Sequence, residues 1–223
     1  SFVVRAERPG GVVVDSVAKA VIIANGCYDH PNMLGVEGED LSHVSHYYTE
    51  PHEFYRKDVV IVGGKNSAAE AALDLFRTGA NVTLVHRGRE LGGSIKYWVR
   101  PDLENRIKEG SIAARFEATV KEIRAQEVIV ECQGKESAVP ADAVFLLTGY
   151  LADLTFLRRC GVEVSESNIP HHDPETFESN VRGLYLAGAV VAGANRGEVF
   201  IENGRFHGKV VVSNIAKRLR GAD

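Results

Sequence analysis

The chain has 223 residues, a formal net charge of −4, 44% hydrophobic residues and 25% charged residues. This composition is typical of a globular protein of one or two domains, and its slight acidity argues against nucleic acid or an anionic membrane as a partner. No apolar run approaches the roughly 20 residues of a membrane-spanning helix. The three cysteines are far apart and form no C-x-x-C pair, which favours a reducing cytoplasm over a disulfide framework.

The first part of the chain predicts an incomplete β layer. Residues 2–6 and 12–14 are strand-like and flank a Pro-Gly-Gly turn, and residues 20–24 predict a short buried strand. Residues 42–56 contain three histidines and several aromatics. Their irregular spacing argues against a metal site, so we interpret the segment as a linker.

The most informative stretch of the sequence is a strand, a turn and a helix. Residues 59–62 are four consecutive β-branched residues, as in a parallel strand that is covered on both faces. Gly63 and Gly64 allow the backbone to turn sharply, and residues 68–77 predict a helix. The start of such a helix presents free N–H groups and a partial positive charge to a phosphate.

This stretch is a dinucleotide fingerprint with one departure. In Gly63-x-Lys65-x-x-Ala68, a lysine stands where the second fingerprint glycine is usual. The lysine takes up room near the diphosphate but adds a cation that can reach a phosphate. We expect Asn66 or Ser67 to cap the helix.

The end of the next strand favours NADP(H) over NAD(H). Residues 81–85 predict a strand, which is followed by His86-Arg87-Gly88-Arg89. An acid at this point holds the ribose 2′-hydroxyl of NAD, whereas an arginine suits the 2′-phosphate of NADP. The strand ends without an acid and offers Arg87 and Arg89, of which Arg89 is the weaker candidate.

The remaining pattern continues one α/β unit as far as residue 147. It predicts a helix at 102–108, a third parallel strand at 112–116, a hairpin of strands 120–124 and 128–132, and a buried strand at 143–147.

After that unit we expect short elements and one long helix. Residues 154–159 predict a helical turn, 171–174 a surface turn despite its two histidines, and 184–187 a strand. The final helix is expected to run from about residue 198 to residue 219, with basic residues near its C-terminus.

Several motifs together resemble a known family. Two similar turns, Ala24-Asn25-Gly26 and Leu147-Thr148-Gly149, flank the nucleotide-binding stretch. With the fingerprint, they resemble the flavoprotein disulfide reductases of the thioredoxin-reductase type. Lys96-Tyr97-Trp98 and residues 201–208 are similar to the bacillithiol disulfide reductase group within that family.

The resemblance implies a fold, a reaction and a set of cofactor contacts. The fold class is α/β, with a three-layer Rossmann-like NADPH-binding domain at 49–149 inserted into an incomplete FAD-binding Rossmann-like domain formed by 1–48 and 150–223. The implied reaction passes a hydride from NADPH to FAD and then reduces a small-molecule disulfide. No catalytic residue and no metal ligand is assigned. The implied cofactor-binding residues are Gly63, Gly64, Lys65, Asn66, Ser67, Ala68, His86, Arg87 and Arg89 for NADP, and Gly149, Gly188, Ala189, Glu198 and Val199 on the FAD side.

Three departures from the family pattern lead us to expect a fragment. No C-x-x-C precedes the fingerprint, no Gly-x-Gly-x-x-Gly lies upstream of residue 57, and Gly188-Ala189 replaces the usual Gly-Asp. We expect the chain alone to hold FAD poorly and to lack full reductase activity. Its uncovered apolar faces should promote association, including homo-oligomers, or local disorder. No redox role is assigned to Cys27, Cys132 or Cys160.

Two alternative functions remain open from the sequence. A flavin-dependent monooxygenase or a ferredoxin–NADP reductase has the same two-domain plan. A non-catalytic NADP-binding module that serves a separate flavin subunit also fits the fingerprint.

Overall fold

A computed structural model of the chain describes residues 1–193 and 199–221. The chain forms two compact units, one of Pro31–Gly149 and the other of Ser1–His30 with Tyr150–Asp223. Within the described residues, no helix combines the length and apolar character needed to cross a membrane.

The secondary structure consists of twelve described strands and five described α-helices. The strands are β1 (Phe2–Arg8), β2 (Val12–Ala18), β3 (Val21–Ile23), β4 (Val44–Ser45), β5 (Asp58–Val62), β6 (Asn81–Val85), β7 (Ala113–Arg115), β8 (Ala118–Ile123), β9 (Glu127–Cys132), β10 (Lys135–Pro140), β11 (Ala143–Leu146) and β12 (Leu184–Leu186). The helices are α1 (Asn66–Thr78), α2 (Arg100–Lys108), α3 (Leu154–Arg159), α4 (Ile201–Gly204) and α5 (His207–Arg220).

A five-stranded parallel sheet organises the unit Pro31–Gly149. Its strand order is β4-β11-β5-β6-β7, and β5 lies in the middle. Val59 and Ile61 pack on the side of α1, while Val60 and Val62 pack on the opposite side, so all four residues are buried. The uninterrupted β-branched run therefore reflects a strand that is covered on both faces, as the sequence predicts.

The unit has three layers, which confirms the predicted Rossmann-like α/β architecture. Helices α1 and α2 cover one face of the sheet, and an antiparallel sheet of order β10-β9-β8 covers the other. The hairpin β8–β9 was expected, whereas β10 was not. Of the β10 side chains only Val139 is buried, so the strand lacks the alternating apolar pattern that would predict it.

Residues 31–48 belong to this unit by their packing. Strand β4 pairs in parallel with β11, Val44 opposite Val144, and Leu34, Val36 and Leu41 pack against the core on the β8–β9 side. The first boundary between compact units thus lies at residues 30 and 31, upstream of the boundary at 48 that we expected. Short strands of two residues give no periodic signal, which explains the difference.

The other unit is built from two separate strand pairs. Strands β1 and β2 form an antiparallel hairpin, and β3 pairs in parallel with β12. A core of aliphatic side chains surrounds the parallel pair; Leu157, Leu186 and Val190 are fully buried in it.

The expected long C-terminal helix is two helices. Helix α4 ends at Gly204, and α5 begins at His207 after Phe206, whose N–H donates to the Asn203 carbonyl at 3.1 Å in a tight i→i−3 turn. A glycine lowers helix propensity at the break. The expected start at Glu198 lies outside the described residues.

Candidate functional site: a phosphate-binding turn

The turn after β5 is fixed between the ends of two neighbouring strands. The Gly63 N–H donates to the Val85 carbonyl at 3.0 Å, and Gly63 has φ +154°. A Cβ on Gly63 would lie 2.6 Å from the Leu147 carbonyl oxygen. The position therefore requires glycine, as a turn that brings its backbone close to a diphosphate does.

Helix α1 starts without a side-chain cap, so the predicted capping by Asn66 or Ser67 is wrong. Lys65 is the N-cap residue, and the first helical bond runs from the Ala69 N–H to the Lys65 carbonyl at 3.0 Å. The N–H groups of Asn66, Ser67 and Ala68 precede that bond and have no partner within the helix. Together with the helix dipole they form an anion-binding end.

The Asn66 amide is engaged elsewhere. Its Oδ1 accepts a hydrogen bond from the Lys96 backbone N–H at 2.8 Å, and its Nδ2 donates to the Ser94 carbonyl at 2.9 Å. Asn66 thus ties the loop between β6 and α2 to the helix start.

The His86 ring packs directly over the second glycine of the turn. A Cβ on Gly64 would lie 2.4 Å from His86 Nδ1. Burial lowers the pKa of His86, and the charge of Arg87 lowers it further. The ring lies between the turn and the end of β6, and its lowered pKa disfavours the charged imidazolium there.

The two arginines after β6 differ in their surroundings. Arg87 is exposed, and within the part of the chain that the structure describes its guanidinium has no recorded hydrogen bond or ion pair. Arg89 is exposed too, but its Nε donates to Glu117 Oε1 at 2.9 Å. Lys65 is exposed beside the turn. Arg87 and Lys65 are therefore the cations best placed to meet a phosphate.

Sequence reasoning missed one further arginine at this edge. Arg115 ends β7 opposite Val85, is exposed, and its carbonyl accepts the His86 N–H at 2.8 Å. Because parallel strands end at one edge of a sheet, the predicted strand at 112–116 already implied this placement.

The residues expected on the flavin side lie in both units. In Pro31–Gly149, the Gly149 carbonyl accepts the Asn32 N–H at 2.8 Å, and Gly149 has φ +93°. In the other unit, Ala187 precedes Gly188 and Ala189, which begin a short 3₁₀ turn after β12.

Gly204 lies close to both Val199 and Gly188. A Cβ on Gly204 would lie 3.3 Å from Val199 Cγ1 and 3.7 Å from Gly188 Cα, and the Gly188 N–H donates to His207 Nδ1 at 3.2 Å. Glu198 lies outside the described residues.

The three cysteines form no disulfide with one another. Cys27, Cys132 and Cys160 are free and half-buried. Burial raises the pKa of the Cys160 thiol, which disfavours the reactive thiolate. Among the described residues, no group of three or more His, Cys, Asp or Glu side chains is arranged to hold a metal ion.

The sequence profile of the pyridine nucleotide-disulphide oxidoreductase family matches residues 12–188. The bacilliredoxin reductase Bdr of Bacillus subtilis is 48% identical over 199 residues, which cover 88% of this chain and 61% of that protein. The solved structure of bacillithiol disulfide reductase Bdr from Bacillus cereus matches with a TM-score of 0.95 and 40% identity, over 97% of this chain and 67% of that one. A ferredoxin–NADP reductase of Thermus thermophilus is 32% identical over 191 residues, which cover 78% of this chain and 54% of that protein. The chain thus spans just over half to two thirds of the length of these relatives.

Proposed function

Because the chain belongs to the pyridine nucleotide-disulphide oxidoreductase family, we propose that it provides the NADPH-binding unit and part of the FAD-binding unit of a reductase for a low-molecular-weight disulfide of the bacillithiol type. The family implies a flavin and a pyridine nucleotide as cofactors. The choice of NADP, of FAD and of bacillithiol disulfide is our proposal, supported by the similarity to the two Bdr proteins. The three free cysteines lead us to propose the cytoplasm as its compartment.

The observation on which the proposal depends is the glycine turn at Gly63 and Gly64, which leads into α1. A Cβ on Gly63 would collide with the Leu147 carbonyl oxygen and one on Gly64 with the His86 ring, and the N–H groups at the start of α1 that lack a helical partner follow directly. This shape and polarity fit the diphosphate of a dinucleotide.

The residues of this chain have distinct roles in the proposed reaction. Gly63, Gly64 and the first turn of α1 hold the diphosphate, while Arg87 takes the 2′-phosphate and Lys65 adds charge. When bound, NADPH supplies a hydride that reaches a disulfide by way of the flavin. The chain's contribution is to orient the nucleotide and to select it.

In our proposal, fewer residues of this chain contact the flavin than contact the pyridine nucleotide. The turn that begins at Gly188 and Ala189 has the sequence Gly-Ala-Val-Val-Ala, so it presents no carboxylate to a ribityl hydroxyl. We therefore propose that this chain binds FAD weakly. The β1–β2 hairpin exposes Val3 and Val17, 68% and 79% exposed respectively, and we propose that copies of the chain associate through such surfaces.

Calorimetric titration of the purified chain with NADPH and NADH tests the proposal. We expect NADPH to bind more tightly, and Arg87→Ala to remove about tenfold or more of that preference, because a charge-assisted contact to a phosphate is lost. Arg56→Ala is the matched control: Arg56 is exposed in the same unit but precedes β5, at the opposite edge of the sheet. Equal affinity for the two nucleotides in the unaltered chain, or no binding of either, contradicts the proposal.

The match to a ferredoxin–NADP reductase supports a second candidate of the same cofactor chemistry. Consumption of NADPH with bacillithiol disulfide, measured beside reduction of ferredoxin, separates the two when this chain is tested within a protein that also carries a complete FAD-binding unit. Turnover with ferredoxin alone would favour the second candidate.

A further inference from the structure

Two aromatic side chains are exposed in the loop that joins β6 to α2. Tyr97 is 83% exposed and Trp98 61%, and their ring centroids lie 4.8 Å apart with planes at 89°. Large aromatic side chains usually bury most of their surface, so an exposed pair next to a binding turn indicates a surface that receives another ring.

The loop is tied to the phosphate turn at three points. Asn66 binds it twice, through the Lys96 N–H at 2.8 Å and the Ser94 carbonyl at 2.9 Å. The Gly92 N–H donates to the Gly64 carbonyl at 2.8 Å. The aromatic pair is therefore held close to the turn by contacts with the residues that form it.

The exposure of the pair does not result from a poorly packed loop. Leu91 and Ile95 are each 5% exposed and lie in the core between α1 and the sheet, and Val99 packs against that core. The same loop thus buries three aliphatic side chains and leaves Tyr97 and Trp98 in solvent.

The indole is also oriented by a cation. Lys96 Nζ lies 5.7 Å from the centre of the Trp98 ring and 2.8 Å from Glu70 Oε1 on the first turns of α1. The ion pair holds the ammonium beside the ring, and the cation–π contact then favours one ring orientation before any ligand binds.

We propose that Trp98, positioned by Tyr97 and Lys96, stacks on one of the two bases of the pyridine dinucleotide whose diphosphate lies at the turn. This inference rests on the proposed nucleotide binding and adds a residue that recognises the base. Every nucleotide base offers a flat π face to an aromatic ring, and such stacking strengthens binding in a way that phosphate contacts do not.

The fluorescence of Trp98 provides a direct test, since it is the only tryptophan of the chain. We expect NADP⁺ to change this emission, and we expect one of the two halves of NADP⁺, titrated alone, to change it as well. The halves to titrate are adenosine 2′,5′-bisphosphate and nicotinamide mononucleotide, and the one that acts identifies the stacked base. Unchanged emission at nucleotide concentrations that calorimetry shows to be saturating overturns the proposal.

Variants give an independent measurement by calorimetry. Trp98→Leu should weaken NADP⁺ binding by about tenfold, and Trp98→Phe should retain most of the affinity because a ring remains. Tyr55→Leu is the control, an aromatic that is 57% exposed at the opposite end of α1, beside Gly79. Thermal melting checks that each variant folds.

The outcomes separate this inference from the proposed function. If the unaltered chain binds neither NADP⁺ nor NADPH, the nucleotide site and the stacking are both wrong. If it binds NADP⁺ and Trp98→Leu binds equally well, the nucleotide site stands and the stacking is wrong.

Discussion

The imidazole of His86 occupies the space that a side chain on Gly64 would need. A Cβ there would lie 2.4 Å from both Nδ1 and Cε1 of the ring. The second glycine of the turn thus makes room for a protein side chain at the end of the neighbouring strand. This contact joins the turn to the end of β6, the two places where we propose that the diphosphate and the 2′-phosphate bind.

Gly64→Ala should displace the His86 ring and destabilise the chain by about 2 kcal/mol, as an added methyl group in a filled space does. Chemical unfolding in urea measures the loss. Removal of the ring with His86→Ala should restore most of the stability in the double variant, because the two residues are in contact. If the effects of the two substitutions on stability are additive, the contact with His86 is not the cause of the destabilisation in Gly64→Ala.

Gly63→Ala should lower the free energy of unfolding by more, about 3 kcal/mol, because a steric clash and an unfavourable backbone conformation act together. The new Cβ would lie 2.6 Å from the Leu147 carbonyl, a backbone atom that cannot rotate away, and the residue has φ +154°. Gly93→Ala is the matched control in the adjoining loop: a Cβ there meets no atom within 4 Å. We expect the control to change the free energy of unfolding by less than about 1 kcal/mol. A similar loss in both variants would contradict the steric explanation.

The sequence predicted the nucleotide-binding fold well because its signals are local. A β-branched run, two glycines and a left-handed glycine at the end of α1 each determine a nearby backbone conformation. Gly79, with φ +94°, follows the last residue of α1, one residue beyond the end of the helix predicted at 68–77. The roles of Asn66 and Arg89 could not be predicted in the same way. Their partners, Lys96 and Glu117, lie 30 and 28 residues further along the chain, and only the folded structure brings them together.

Glu117→Gln should release Arg89 and raise the affinity for NADPH by about threefold, because a negative charge near the proposed 2′-phosphate site is removed. The stability should change by less than about 1 kcal/mol, as expected for an exposed pair whose arginine side chain is 88% exposed. Titration with NADPH at low salt measures the effect. Glu122→Gln is the control, since Glu122 pairs with Arg124 instead. Weaker NADPH binding in Glu117→Gln would show that the carboxylate orients Arg89 and does not compete for it.

The pKa of His86 should lie below the ordinary value near 6.5, first because the ring is partly buried and second because Arg87 is charged. A histidine whose pKa is lowered in the folded state stabilises the protein above its unfolded-state pKa, and that stabilisation is lost as the pH falls through the folded-state pKa. Acidification below about pH 6.5 should therefore destabilise the chain through His86.

Arg87→Ala removes the second cause and should raise the pKa of His86, while burial still keeps it below the ordinary value. In the unaltered chain, bound NADP⁺ should also raise the pKa of His86, since a phosphate anion favours the charged ring. Proton NMR titration of the ring measures each value, with His86→Asn to assign the signal among eight histidines. An identical pKa in Arg87→Ala and the unaltered chain would mean that the charge of Arg87 does not lower the pKa of His86.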